Sequence, residues 1–83
     1  MKTFSIMLSS INDVKNFVNI VNKYDFDVDL TSDRYVVDAK SIMGIFSLDL
    51  TKAIKVEIHS DDCAVLEDEL APFKIWVLNI SAA

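Results

Sequence analysis

Along residues 3–8 the chain alternates. Phe4, Ile6 and Leu8 point one way and Thr3, Ser5 and Met7 the other, which is the period of a half-buried strand. After Ser9 and Ser10 the period changes. Ile11, Val14, Phe17, Val18 and Val21 mark one face of a helix that ends near Lys23, while Asn12, Lys15, Asn16, Asn19 and Asn22 fill its solvent side. Ser10 stands where an N-cap belongs. Asp13, three residues on, is a weak capping-box acid that also suits the helix dipole. Alternation returns with Phe26, Val28 and Leu30 against Asp27 and Asp29. It returns again with Tyr35, Val37 and Ala39 against Val36 and Asp38. Only Thr31-Ser32-Asp33-Arg34 separates the two runs, so they make a hairpin.

A short helix follows, capped by Ser41, with Ile42, Ile45 and Phe46 at helical spacing. Ile54, Val56 and Ile58 then alternate with Lys55, Glu57 and His59 as a fourth strand. Ser60 is placed to cap a last helix, with Asp61 and Asp62 in its first turn and Cys63, Val65, Leu66 and Leu70 on its inner face. Pro72 cannot lie inside that helix. The helix therefore ends near Ala71 or restarts with Pro72 in a first turn. The apolar run Phe73, Ile75, Trp76, Val77, Leu78, Ile80 fits a strand or a helical continuation equally. The order β-α-β-β-α-β-α predicts an α+β fold, an open-faced β-sandwich. Its four-stranded antiparallel sheet is covered on one face by three helices. Residues 1–83 form one domain with an apolar C-terminal tail at 72–83.

Composition narrows the function. The chain has 83 residues, a net charge of −5 and eight basic residues that never adjoin. Clustered cations for a phosphate backbone or an anionic membrane surface are missing, so neither nucleic acid nor a membrane is an expected partner. No apolar run approaches the ~20 residues of a spanning helix. Residues 1–8 lack the layout of a signal peptide, which points to the cytoplasm. One cysteine excludes an internal disulfide, and one glycine leaves no glycine-rich phosphate loop.

The remaining chemistry is sparse. His59 is the only histidine and falls on the outward side of the fourth strand. Cys63 reads as a small core residue. Asp27, Asp29, Glu67, Asp68 and Glu69 read as solvated faces, not as a metal site. No constellation supports an enzyme, a metal or a cofactor. Gly44 is the unusual choice, because glycine inside a helix costs about 0.5–1 kcal/mol relative to alanine. Something must approach closely there, either another part of the fold or a partner. If Ile45 and Leu48 face the core, part of Ile42, Met43 and Phe46 turns outward.

The stretch Lys40-Ser41-Ile42-Met43-Gly44, followed by Ile45, Phe46, Ser47 and Leu48, resembles the regulatory-serine segment of HPr, the small phosphocarrier of the bacterial sugar phosphotransferase system. The resemblance extends upstream through Lys23-Tyr24-Asp25 and the two strands of the hairpin, and covers roughly residues 2–60. It implies the same open-faced sandwich. It also implies that Ser41 is the residue phosphorylated by a dedicated kinase, and that Lys40, Ile42, Met43 and Phe46 belong to a docking surface. The family's carrier histidine lies at the start of the first helix. Counting back from Lys23-Tyr24-Asp25 puts its place on Ser10, that of the neighbouring arginine on Asn12, and that of the proline on Asp13. None matches. In that respect the chain is similar to the catabolite-repression HPr-like paralogue.

Two readings follow. One is a non-carrier regulatory protein whose Ser41 helix is a phosphorylatable docking surface, with HPr serine kinase or a transcriptional regulator as the partner that the resemblance implies. The other is an HPr-fold interaction domain without phosphorylation, self-associating through its tail. A homodimer is expected because one face of the sheet is already filled, and the tail would otherwise expose a strand-length apolar run. The alternative is that the tail folds back on its own sheet as a fifth strand or continues the last helix.

Overall fold

A computed structural model of the chain describes residues 1–75. The elements are β1 (Lys2–Ile6), α1 (Ile11–Val21), β2 (Val28–Ser32), β3 (Tyr35–Asp38), α2 (Ile42–Phe46), β4 (Ile54–Ile58), α3 (Ala64–Glu69) and a short 3-10 turn (Ala71–Phe73). The strands form one antiparallel sheet in the order β1-β4-β2-β3. This is the α+β architecture that the alternation predicts.

Register explains the two faces. Phe4 and Ile6 lie across from Val56 and Ile54, and Leu30 lies across from Val56 on the other side of β4. With Val28 and Ile58 these residues line one face, and all but Phe4 are fully buried. Val14, Phe17 and Val21 of α1, Ile45 of α2, and Leu66 and Leu70 of and after α3 close over them. Each large side chain so buried contributes about 1.5–3 kcal/mol of transfer free energy. The opposite face carries Thr3, Ser5, Lys55, Glu57, Asp29 and Thr31, polar residues at the intervening positions.

Several boundaries differ from the sequence reading. β2 runs on through Ser32, so the hairpin turn is only Asp33 and Arg34. Asp33 takes φ 53, a left-handed conformation that short polar side chains tolerate. Ser60 does not cap α3. Its hydroxyl accepts from the Asp62 amide at 3.1 Å in a local turn, an option serine has wherever its own backbone is near. The helix starts at Ala64 with Cys63 at the N-cap, and Asp61 instead meets the chain's terminal ammonium at 3.2 Å. Starting there, α3 turns Leu66 inward and leaves Val65 66% exposed, not on the inner face. Ile11 is likewise 64% exposed. It is the first residue of α1, where the stripe that begins with Val14 has not yet turned inward.

Pro72 occupies the first turn of the 3-10 segment. The chain then straightens: the Met7 amide donates to the Phe73 carbonyl at 2.9 Å and the Ile75 amide to the Ser5 carbonyl at 3.1 Å. The start of the tail therefore lies along β1 of its own chain. The rest of the expected self-association segment lies outside the described residues.

Candidate functional site

The helix starts are built differently at α1 and α2. At α1, Ser10 is in extended backbone, and its Oγ accepts from the Asp13 amide at 3.1 Å. Asp13 reaches back: its Oδ2 accepts from the Ser9 amide at 3.1 Å and from Ser9 Oγ at 2.9 Å. The carboxylate thus sits at the positive end of α1, where an anion is favoured, and engages the donors that precede the helix.

At α2, Ser41 Oγ accepts from the Gly44 amide at 3.2 Å, and Ser41 is exposed. No acid lies in the first turn of this five-residue helix. Ile45 is buried beneath it, Ile42 is half-buried, and Met43 and Phe46 are 76% and 41% exposed. The close approach at Gly44 comes from within the fold. A Cβ on Gly44 would stand 3.3 Å from Val37 Cβ of β3 and 3.3 Å from Ser41 Oγ. Ser47 Oγ donates to the Gly44 carbonyl at 2.5 Å and holds the last turn.

Lys40, read as part of the docking surface, is half-buried, and its ammonium donates to the Tyr24 carbonyl at 2.6 Å. It ties the entry of α2 to the exit of α1. Next to it is a cluster that the sequence did not suggest. Glu69 accepts from both Lys23 and Tyr24, joining the ends of α1 and α3. The hydrogen bond to Glu69 pushes the Tyr24 phenol up to about 12, with burial adding to it. Glu69 is held below the usual carboxylate range by Lys23 first and Tyr24 second. Nothing in local periodicity marks such a pairing, because its members are 45 or 46 positions apart.

Between the two helices lies an open groove of about 460 Å³, lined by Leu8, Ser9, Ser10, Ile11, Phe46, Leu50 and Thr51. It brings the outward face of α2 next to the capped start of α1. Ile11 and Leu50 belong to it, although the sequence reading put Ile11 in the core and did not single out Leu50. The clue was available: Ile11 directly follows the cap serine, ahead of the buried stripe.

The other candidates lie elsewhere. His59 follows Ile58, which pairs with Lys2, whereas Ser10 follows the Ile6 end of β1. The imidazole is thus at the opposite end of the sheet from Ser10, with Nε2 2.9 Å from Asp29. Cys63 is buried. Glu67 meets Lys74 at 3.0 Å and Lys2 at 3.8 Å, and the Lys74 hydrogen bond draws its pKa down. Among the described residues, no group of three His, Cys, Asp or Glu side chains could hold a metal ion. No helix among them is long and apolar enough to cross a membrane.

A family model described as "PTS HPr component phosphorylation site" matches residues 13–70. The chain belongs to the HPr family. Among solved structures, it resembles HPr-C-His from Thermoanaerobacter tengcongensis with a TM-score of 0.74 and 26% identity, over 87% of this chain and 89% of that one. It also resembles a phosphocarrier protein HPr from Bacillus anthracis str. Ames with a TM-score of 0.69 and 24% identity, over 89% of this chain and 96% of that one. No curated protein matches. The HPr family comprises phosphocarrier proteins of the phosphotransferase system, not enzymes, and their fold is the one described above.

Proposed function

We propose that this HPr-family chain is a non-carrier regulatory protein. Ser41 is its phosphoacceptor, and Ile42, Met43 and Phe46, extended by Ile11 and Leu50, form its docking surface. The observation that carries this reading is the start of α1. Ser10 and Asn12 stand at the places of the family's histidine and arginine, and Asp13 puts a carboxylate at the helix end. A phosphoryl group brought there would meet a negative charge instead of a cation, and no imidazole to receive it. At α2 the charge balance is the reverse. Ser41 is exposed, the first turn of its helix carries no acid, and a phosphate on it would face the positive end of the dipole, with the Asp38 carboxylate preceding the helix. New charge there lies beside exposed Met43 and Phe46 and changes what can dock on them. The partner class follows the resemblance: HPr serine kinase as the modifying enzyme, and a transcriptional regulator as the reader.

A second reading is an interaction domain that uses the same groove without modification. Ser41 already has a structural task as the cap of α2, which favours this reading to that extent. Treatment with HPr serine kinase and ATP, followed by mass spectrometry, separates the two. The proposal expects one phosphate on Ser41 that disappears in Ser41→Ala. An unmodified chain supports the interaction domain, and labelling that survives Ser41→Ala overturns the assignment.

A further inference from the structure

We propose that the outer edge of β3 is the contact of a symmetric homodimer, in which β3 pairs antiparallel with β3 of a second copy about a two-fold axis at Val36. The edges of the sheet are β1 and β3. Beside β1, the Met7 amide donates to the Phe73 carbonyl and the Ile75 amide to the Ser5 carbonyl, so that edge is partly covered. Among the described residues, nothing pairs with the outer side of β3. The Ala39 amide donates to the Val28 carbonyl at 2.8 Å, toward β2. Backbone groups point alternately to either side of a strand, so Val37 and Tyr35 also face β2. The amide and carbonyl of Val36 and the amide of Asp38 face outward. The Asp38 carbonyl is already taken by the Ser41 amide at 3.0 Å.

The edge lacks the usual protection. An exposed edge strand is commonly blunted by a proline or a lysine, which keep a second chain from pairing with it. β3 is Tyr35-Val36-Val37-Asp38 and has neither. Tyr35 is 68% exposed and Val36 62%. Val36 pairs with Thr31 of β2, so its side chain lies on the polar face of the sheet, where no helix covers it.

Charge fixes both the occupant and the register. With the axis at Val36, the Val36 amide of each copy donates to the Val36 carbonyl of the other, and Val36 side chains lie across from each other. Arg34 of each copy then lies across from Asp38 of the other, an opposite-charge pair on each side of the axis. Among the described residues Arg34 has no ion pair, and Asp38 uses only Oδ1, which accepts from the Lys40 amide at 2.8 Å. On the other face, Tyr35 of one copy comes beside half-buried Val37 of the other. An axis at Val37 would set Arg34 against Lys40, and one at Tyr35 gives neither Arg34 nor Asp38 an opposite charge. The edge is therefore complementary to itself in one register, which selects a second copy over an unrelated extended chain.

Sedimentation of the full-length chain between about 10 µM and about 1 mM tests this, beside amide exchange followed by NMR. The mass is expected to rise from one chain toward two. Protection of the Val36 amide should rise with it, while the Val37 amide, bonded to β2, keeps the same rate. Val36→Pro deletes both central hydrogen bonds and is expected to weaken the dimer at least about tenfold. The Phe17 and Val21 amides stay protected there and report an intact fold. Arg34→Asp and Asp38→Arg leave the backbone groups in place and give an independent arm. Each alone sets like charges across the axis and should weaken the dimer at least about tenfold, whereas an equimolar mixture of the two should restore it as a heterodimer. A chain that stays monomeric to about 1 mM overturns the proposal. So does a dimer that forms equally well with Val36→Pro, or single charge variants that their mixture does not rescue.

Discussion

Ser41 is the residue on which capping, charge and the proposed switch meet, and its substitution series separates them. Its hydroxyl accepts from the Gly44 amide at 3.2 Å. Ser41→Ala deletes that bond, a loss of about 1 kcal/mol on the usual N-cap range. α2 has five residues and only Ile45 fully buried, so little packing compensates. For a domain of this size, the loss lowers Tm by about 4–8 °C. Ser41→Asp keeps an acceptor at the cap and adds a charge at the helix end worth about 0.3–1 kcal/mol. The Asp38 carboxylate, whose Oδ1 accepts from the Lys40 amide at 2.8 Å, offsets part of that gain. The Asp variant is therefore expected within about 0.5 kcal/mol of the unaltered protein, well above the Ala variant. Urea unfolding with unchanged slopes measures both. If Ser41→Ala unfolds within about 0.3 kcal/mol of the unaltered chain, the hydroxyl is not capping α2. The helix end is then not poised for an added anion either.

Gly44→Ala is expected to be near neutral, because roughly 0.5–1 kcal/mol of helix propensity opposes the 3.3 Å approaches to Val37 and Ser41. Gly44→Val, with two more methyls in that space, should lose about 1–3 kcal/mol in the same urea assay. Glu67 and Glu69 titrate below the ordinary glutamate value near 4.5, so the unfolded chain takes up their protons first. Their contribution to stability is complete above that value and is lost as pH falls through the lower folded values. Urea midpoints at about pH 7 and about pH 3.5 should converge more in Glu69→Gln than in the parent. Tyr24, raised to about 12, contributes stability below the ordinary phenol value of 10.0 that disappears as pH climbs through about 12. In an ultraviolet titration, Tyr24→Phe should remove the late phenolate phase.

β2 and β4 were readable because each buries one face, and period-two alternation reports that directly; in the edge strand β3 the alternation misleads, because Tyr35 and Val36 are both exposed and Val37 is only half-buried. Val28, Leu30, Ile54, Val56 and Ile58 are all fully buried as the pattern requires. α1 was readable for the same reason at period 3.6. The errors lie where periodicity has no say. Ile11 and Val65 are apolar residues in the first turns of helices, where a shift of one position decides between core and solvent. Ser60 had the chemistry of a cap but spent it on a local turn. At the site, Ser41, Met43 and Phe46 could be placed from a short motif. The groove could not, because Ile11, Phe46 and Leu50 converge only once α1 and α2 pack on the same sheet. Gly44 could be flagged but not explained, since Val37, which it meets, is on another element.

The claim that α1 does not carry phosphate rests on Ser10, Asn12 and the Asp13 carboxylate. The most direct test incubates the full-length protein with phosphoenolpyruvate and the phosphotransferase enzyme that charges HPr, beside a true carrier as the positive control. No acid-labile phosphate is expected on this chain while the carrier is labelled. Stoichiometric acid-labile phosphate, whether on His59 or at the start of α1, would contradict it.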